Sequence, residues 1–299
     1  MRYAVLHGQR SGRRGNTSLV ARVGTALRDH GHAVAELAAS SVEEARASAQ
    51  LAVENGFDVL VVVGGDGVVR IAAQACARRD TAIAIIPAGS GNDTARSLGI
   101  ATKHVAAINV AAAGHRRTID LIAVRTGSNE WGDSTYIVGS LPAALDARIA
   151  ARSQRVPALL GGARYAVATV AEIPRLRAAN YQLRIDGRAR EHSALVLTVC
   201  NLPIFGGGMR IAPAANPADG LMDVVIIDTI GPLAAVGLLR AVYAGTHAEH
   251  PAVQIVQCES VTIEGPDLLA YGDGDPVGPL PLHCEIVKGA LQVVVPADV

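Results

Sequence analysis

Along the first 122 residues, short apolar runs alternate with longer stretches of helical spacing. The runs fall at 3–6, 33–37, 58–63 and 82–86. Between them apolar positions recur three and four apart; within 41–54, Val42, Ala45, Ala49, Ala52 and Val53 share one helical face. Strands alternating with helices predict a doubly wound, mostly parallel sheet, and so an α/β domain over residues 1–122. The rhythm then changes. Runs at 135–140, 179–185, 193–200, 221–227, 252–264 and 282–287 alternate or are continuously apolar. Helical spacing returns only at about 141–150, 162–173 and 232–243. This predicts a second, β-rich domain over 123–288 with mainly antiparallel strands. A final apolar run at 290–295 makes the segment 289–299 a candidate to pack back onto the first domain.

Composition narrows the classes. Half of the 299 residues are hydrophobic and only 3% are aromatic, so the core is aliphatic, as α/β layers favour. Lys+Arg and Asp+Glu are equal at 27 each, which argues against bulk nucleic-acid binding. Cys76, Cys200, Cys258 and Cys284 are far apart and form no CxxC pair, so a reduced compartment is expected rather than a zinc site. The apolar start at Met1–Leu6 is too short for a signal peptide. No stretch reaches the roughly 18–20 apolar residues of a membrane span. The expected location is cytoplasmic, with any membrane contact peripheral.

Candidate chemistry sits at two strand ends. Val61-Val62-Val63 runs into Gly64-Gly65-Asp66-Gly67, and Ile85-Ile86-Pro87 runs into Ala88-Gly89-Ser90-Gly91-Asn92-Asp93. Glycines let backbone amides approach an anion with no Cβ in the way. A helix start beyond each turn adds unpaired donors and a favourable dipole for phosphate. In open α/β sheets, ligands bind beyond the carboxyl ends of the strands, where these turns lie. The pair reads as a nucleotide-phosphate site with Asp66 and Asp93 as its carboxylates. Each half also has a plainer reading, a tight turn in one case and an N-cap at Asn92 or Asp93 in the other.

At this point the chain resembles the diacylglycerol kinase catalytic-domain family, which includes bacterial lipid kinases and sphingosine kinases. The family's Gly-Gly-Asp-Gly loop is present at 64–67. Its Pro-x-Gly-Thr-x-Asn-Asp-x-Ala-Arg-x-Leu-Gly-Ile motif is matched from Pro87 to Ile100, with Ser90 in the threonine position. Asn201 to Ala215 resembles its Asn…Gly-Gly-Gly…Ile-x-Pro-x-Ala segment, Asp219-Gly220-Leu221-Met222-Asp223 its Asp-Gly-x-Leu-Asp element, and Gly161 to Tyr165 a weaker helix start. The resemblance implies a phosphofructokinase- and NAD-kinase-like first domain and an ATP- and Mg²⁺-dependent lipid kinase acting on a diacylglycerol-like hydroxyl. It implies a general base on Asp273-Gly274-Asp275, at Asp275 or Asp273, because the attacking alcohol must give up its proton. It places Asp66 in the catalytic magnesium network, and Ser11, Gly12, Ser40, Gly64, Gly65, Gly67, Gly89, Ser90, Asn92 and Asp93 around the nucleotide. A second magnesium would be held by Asp219 with the carbonyls of Asn216 and Leu221; oxygen donors suit a hard cation. A homodimer is a candidate assembly.

The chain departs from the family's pattern at several positions. Val68 replaces the threonine after Gly67, Arg70 and Ile71 replace Asn and Glu, and only Ser11-Gly12 survives of the first Asn-Pro-x-Ser-Gly loop. Asp275 replaces glutamate, one methylene shorter. A displacement of about 1 Å at a catalytic group can cost about a hundredfold in rate. These departures make a degenerate kinase that binds without turnover one competing expectation; an NAD kinase- or phosphofructokinase-like enzyme, whose loops also use Gly-Gly-Asp-Gly, is the other. Arg148, Arg152 and Arg155, with Val156-Pro157-Ala158-Leu159-Leu160, form a candidate membrane-facing surface.

Overall fold

The structure is a computed structural model and describes residues 1–8, 15–127, 134–157, 160, 163–173, 177–266 and 268–297. The chain divides into two compact units: Met1–Ile119 with Gly289–Val299, and Asp120–Lys288. The chain passes between them inside two strands, β5 (Arg116–Thr126) and β15 (Leu282–Val294).

Unit 1 is built on β1 (Arg2–Gly8), β2 (Ala33–Ala39), β3 (Val59–Gly64) and β4 (Ala82–Pro87). With the end of β15 they form the order β15–β4–β3–β1–β2, every neighbouring pair parallel. The continuous apolar sequences of β1, β3 and β4 follow from burial on both faces. Tyr3 to Leu6, Val59 to Val63 and Ala82 to Ile86 are all buried, whereas the edge strand β2 is partly exposed along its length. The helices α1 (Gly15–Asp29), α2 (Val42–Glu54), α3 (Asp66–Cys76), α4 (Asp93–Ser97) and α5 (His104–Ala113) complete the unit. α1 packs with α5 and α2 with α3. α2 starts at its N-cap Ser41, whose hydroxyl accepts the Glu44 amide at 3.1 Å. α3 buries Val69, Ala72, Ala73 and Cys76, a spacing of three and four along one face.

Unit 2 is mainly antiparallel. It contains β6 (Thr135–Ile137), β7 (Ser140–Pro142), β8 (Ala179–Ile185), β9 (Arg188–Cys200), β10 (Met222–Asp228), β11 (Val253–Cys258) and β12 (Ser260–Glu264). The order β11–β10–β9–β8–β12–β15 is antiparallel throughout. A separate hairpin joins β13 (Leu269–Gly272) to β14 (Asp275–Pro279). Among the described residues, the α-helices of this unit are α6 (Leu145–Arg155), α7 (Ala163–Glu172) and α8 (Pro232–Ala244).

The apolar run 252–264 is two strands broken at Glu259, and the run 135–140 is likewise two short strands. The helix expected from 141 begins only at Leu145, because Leu141 and Pro142 pair with Val199 and Thr198 of β9. The apolar runs at 282–287 and 290–295 belong to one strand that turns through Gly289 at φ +60°. All four cysteines are buried and unbridged, and burial pushes the Cys76 thiol up to about 12. Among the described residues no helix is long and apolar enough to cross a membrane.

Candidate functional site

In unit 1 the two glycine turns lie against each other, backbone on backbone. A Cβ on Gly65 would stand 2.9 Å from the Gly89 Cα, and a Cβ on Gly89 would collide with Gly65 in turn. No side chain fits at either position, which is the physical reason both turns carry glycine there. The Ala88 amide donates to the Gly64 carbonyl at 2.8 Å and continues the β3–β4 ladder into the turns.

Side chains lock this contact. Asp66, the first residue of α3, accepts the Thr94 amide of α4 through Oδ1 at 3.0 Å. Its other oxygen borders Gly91, where a Cβ would come within 3.1 Å. The Asp93 carboxylate borders the same glycine at 3.5 Å, so the two carboxylates expected to share a site converge on Gly91. Asn92 is in the left-handed region at φ +55° and makes no side-chain cap. Its Oδ1 accepts the Gly89 amide and its Nδ2 donates to the Gly89 carbonyl, both at 2.9 Å. The N-cap reading of Asn92 thus gives way to that of a clamp on the turn. Gly67, in the first turn of α3, and Ser90, in the second glycine turn, are exposed. The Val68 methyls occupy the space beside Gly64, where a Cβ would meet Cγ2 at 2.9 Å.

Ser40 follows β2 and is exposed; its amide and hydroxyl both donate to Glu44 at 2.6 Å. Ser11 and Gly12 lie outside the described residues.

The Asp273-Gly274-Asp275 turn belongs to unit 2. Asp273 (φ +48°) and Gly274 (φ +89°) form a two-residue hairpin loop, with Gly272 and Asp275 paired across it. Positive φ at both central residues defines a type I′ turn, for which Asp-Gly is a favoured sequence. The Asp273 carboxylate accepts the amides of Val138 and Gly139 at 2.8 Å each and of Ser140 at 3.2 Å. From α6, Gln154 donates to the Gly274 carbonyl at 2.6 Å. The first aspartate thus anchors the hairpin, while Asp275 projects from the start of β14, half-buried.

Asn216, Asp219 and Leu221 also lie together in unit 2. Asp219 is exposed, and its Oδ1 accepts the Leu221 amide at 3.0 Å; Asn216 Oδ1 accepts the Ala218 amide at 3.2 Å. A donor set made wholly of oxygen with one exposed carboxylate fits a magnesium that keeps most of its water. Sequence reasoning passed over the residue that fixes this loop. Buried Asp120 accepts the Gly220 amide at 2.8 Å, and its own amide donates to the Pro217 carbonyl at 2.6 Å. Buried Asn201 donates to the carbonyls of Asp120 and Val138 at 2.8 and 2.9 Å. The available signal was an acid inside an apolar run, Ile119-Asp120-Leu121-Ile122. The proposed basic surface is also altered: Arg148 and Arg152 both pair with buried Glu172, at 3.3 and 2.5 Å. Ala158 and Leu159 of its loop lie outside the described residues, as do Gly161 and Gly162 of the weaker motif.

Comparison with known proteins adds an independent view. Residues 2–124 match the diacylglycerol kinase catalytic domain, and residues 139–295 match the YegS C-terminal NAD kinase beta sandwich-like domain. A Mycobacterium tuberculosis protein (strain ATCC 25618 / H37Rv) named diacylglycerol kinase is 34% identical over 274 residues, covering 90% of this chain and 87% of that one. The chain belongs to the diacylglycerol kinase family. A Pseudomonas aeruginosa protein (strain UCBPP-PA14) named "Probable lipid kinase YegS-like" is 29% identical over 297 residues, covering 98% and 93%. The crystal structure of a diacylglycerol kinase from Bacillus anthracis str. Sterne superposes with a TM-score of 0.77 at 17% identity, covering 100% and 97%, a likeness of fold. As a member of this family the chain is a lipid kinase, with the α/β and antiparallel β organisation expected from its sequence.

Proposed function

We propose that this kinase transfers the γ-phosphate of ATP, with Mg²⁺, to the hydroxyl of diacylglycerol or a related lipid. The reading is carried by the Gly65–Gly89 contact with Asp66 and Asp93 beside Gly91. That contact leaves bare backbone at the carboxyl ends of β3 and β4, open to an approaching phosphate. The amides of 64–67, Ser90 and Gly91 hold the phosphates, the Gly89 amide being taken by Asn92 Oδ1, with Ser11, Gly12, Ser40, Ser90 and Asn92 contributing around the nucleotide. Asp93 lies beside the nucleotide, and Asp66 would hold magnesium, which when bound neutralises phosphate charge. Asp275 takes the proton of the acceptor hydroxyl as its oxygen attacks the γ-phosphorus. Asp275 is preferred to Asp273 because three backbone amides already occupy the Asp273 carboxylate. Asn216, Asp219 and Leu221 hold a second, structural magnesium.

Radiolabelled Mg-ATP offered with diacylglycerol, sphingosine and NAD in separate reactions tests the reading. Transfer to diacylglycerol is expected; transfer to NAD alone would overturn it. A second reading, slow turnover by a kinase that chiefly binds, is favoured by Val68, whose methyls stand beside Gly64 where a hydroxyl would otherwise be available. Mg-ATP binding with no product from a broad lipid panel would favour that reading.

A further inference from the structure

Asn201 follows β9 and opens the glycine-rich segment that ends at Ala215, yet no step of the proposed chemistry uses it. It is buried. Its Nδ2 places both hydrogens inside unit 2, on the Asp120 carbonyl at 2.8 Å and the Val138 carbonyl at 2.9 Å. Its backbone amide donates to the Gly139 carbonyl at 2.8 Å, and the Leu202 amide donates to the same oxygen at 3.2 Å. The Asn201 Oδ1 is buried with no hydrogen-bond partner among the described residues. Turned over, the carboxamide would press that oxygen against two carbonyls, so its orientation is fixed by what surrounds Nδ2. A buried oxygen left without a donor is unfavourable. An asparagine held here despite that cost is held for its two side-chain donors.

Those donors hold the seat of the Asp273-Gly274-Asp275 turn. The segment 138–140 gives carbonyls to Asn201 and amides to Asp273, and the two sets of bonds run through single peptide units. In the unit joining Val138 to Gly139, the carbonyl accepts from Asn201 Nδ2 and the N–H donates to Asp273 Oδ1. In the unit joining Gly139 to Ser140, the carbonyl accepts from the Asn201 amide and the N–H donates to the same Asp273 oxygen. A donor on the carbonyl polarises its peptide and strengthens the bond that the N–H makes. Two such units in parallel connect Asn201 to Asp273. The turn is seated on this segment in other ways too. The Asp273 amide donates to the Ser140 carbonyl at 3.0 Å, and Gly272 lies so close to Ile137 that no Cβ fits there. Asp275 is two residues beyond Asp273 in the same hairpin, so its direction follows from where 138–140 stands.

We propose that Asn201 is a positioning residue for phosphoryl transfer. Through the peptide units 138–139 and 139–140 it sets the Asp273 anchor, and with it the aim of the Asp275 carboxylate. It acts through these two aspartates and not on the substrate. The proposal deepens the reading of Asp275 as the base and rests on it for the effect on rate.

Three substitutions test it, each made in wild type and in an Asp275→Ala background. Asn201→Leu is close in size and has no side-chain donor, and Asn201→Ser keeps one. Thr198→Val is the structural control, because it removes a different buried hydrogen bond of β9, the one to Asp146. The readouts are initial rates of diacylglycerol phosphorylation and hydrogen exchange of the 269–279 hairpin. Asn201→Leu should lower kcat about a hundredfold, the scale of a displacement of about 1 Å at a reacting group. KM for Mg-ATP should stay within about twofold, since the phosphate turns belong to unit 1. The hairpin amides should exchange at least about tenfold faster, with Asn201→Ser in between and Thr198→Val unchanged in both readouts. In the Asp275→Ala background, Asn201→Leu should cost no further rate, because the group it aims is gone. Asn201→Ser carries the comparison if the leucine variant does not fold. Wild-type exchange of the hairpin in Asn201→Leu overturns the proposal, and so does an equal fold-loss of rate with and without Asp275. Faster exchange in a protein whose Asp275→Ala variant keeps full activity upholds the anchoring role and sinks the assignment of Asp275 as base instead.

Discussion

Asp66 accepts the Thr94 amide across the two glycine turns at 3.0 Å, so a carboxylate assigned to magnesium also ties α3 to α4. The two tasks separate by substitution. Asp66→Asn keeps an oxygen for the Thr94 amide and loses the charge. It should melt within a few degrees of wild type while turnover falls about a hundredfold or more. Asp66→Ala loses both and should also destabilise unit 1 by about 1–2 kcal/mol. Thermal melts beside initial rates measure the split; equal melting of both variants would contradict the tie.

The Gly65–Gly89 contact has no room for a methyl group on either side. Gly89→Ala should force the turns apart and cost about 1–3 kcal/mol, as overpacking does. Mg-ATP affinity, read by calorimetry, should drop at least about tenfold as the amides move. Unchanged affinity would mean that these turns do not hold the nucleotide.

Much of this was legible in the sequence, for physical reasons that also explain what was missed. β3 and β4 announce themselves because strands buried on both faces must be continuously apolar. The β13–β14 hairpin escapes notice because Asp275-Pro276-Val277-Gly278-Pro279 carries residues that strands disfavour. Its Asp273-Gly274 turn was visible, but the three amides that fill Asp273 come from residues 138–140, far away in sequence. Asp120 was missed for a similar reason, since its partners at Pro217 and Gly220 lie some hundred residues downstream.

Asp273 should behave as a structural residue. Asp273→Ala leaves the amides of Val138, Gly139 and Ser140 without their acceptor, and a loss of about 2–4 kcal/mol is expected from denaturant titration. Asp275→Ala should leave the titration midpoint nearly unchanged. The reverse ordering would exchange the two assignments.

Stability should depend on pH through Asp146. Burial raises its carboxyl from 3.8 to about 6, although the Thr198 hydroxyl and the Ala144 amide, both donating to it, pull the other way. A raised pKa means that the folded state holds the proton more tightly. The resulting stabilisation is complete below about 3.8 and is lost as pH rises through about 6. Asp223, raised to about 6 chiefly by burial, adds a second group with the same sign. Asp146→Asn should flatten the fall in stability between pH 4 and 7 by about one proton, leaving the part due to Asp223. Melts that run parallel for wild type and variant across that range would contradict the assignment.

The central claim is that Asp275 takes the acceptor's proton in an ATP-dependent lipid phosphorylation. It is tested most directly by mass-spectrometric detection of phosphorylated diacylglycerol after incubation with Mg-ATP. Wild type, Asp275→Glu and Asp275→Ala are compared at equal folded concentration. Product is expected from wild type and from Asp275→Glu, with Asp275→Ala reduced about 10²- to 10⁴-fold, the usual worth of a positioned base. Wild-type product from Asp275→Ala would contradict the account.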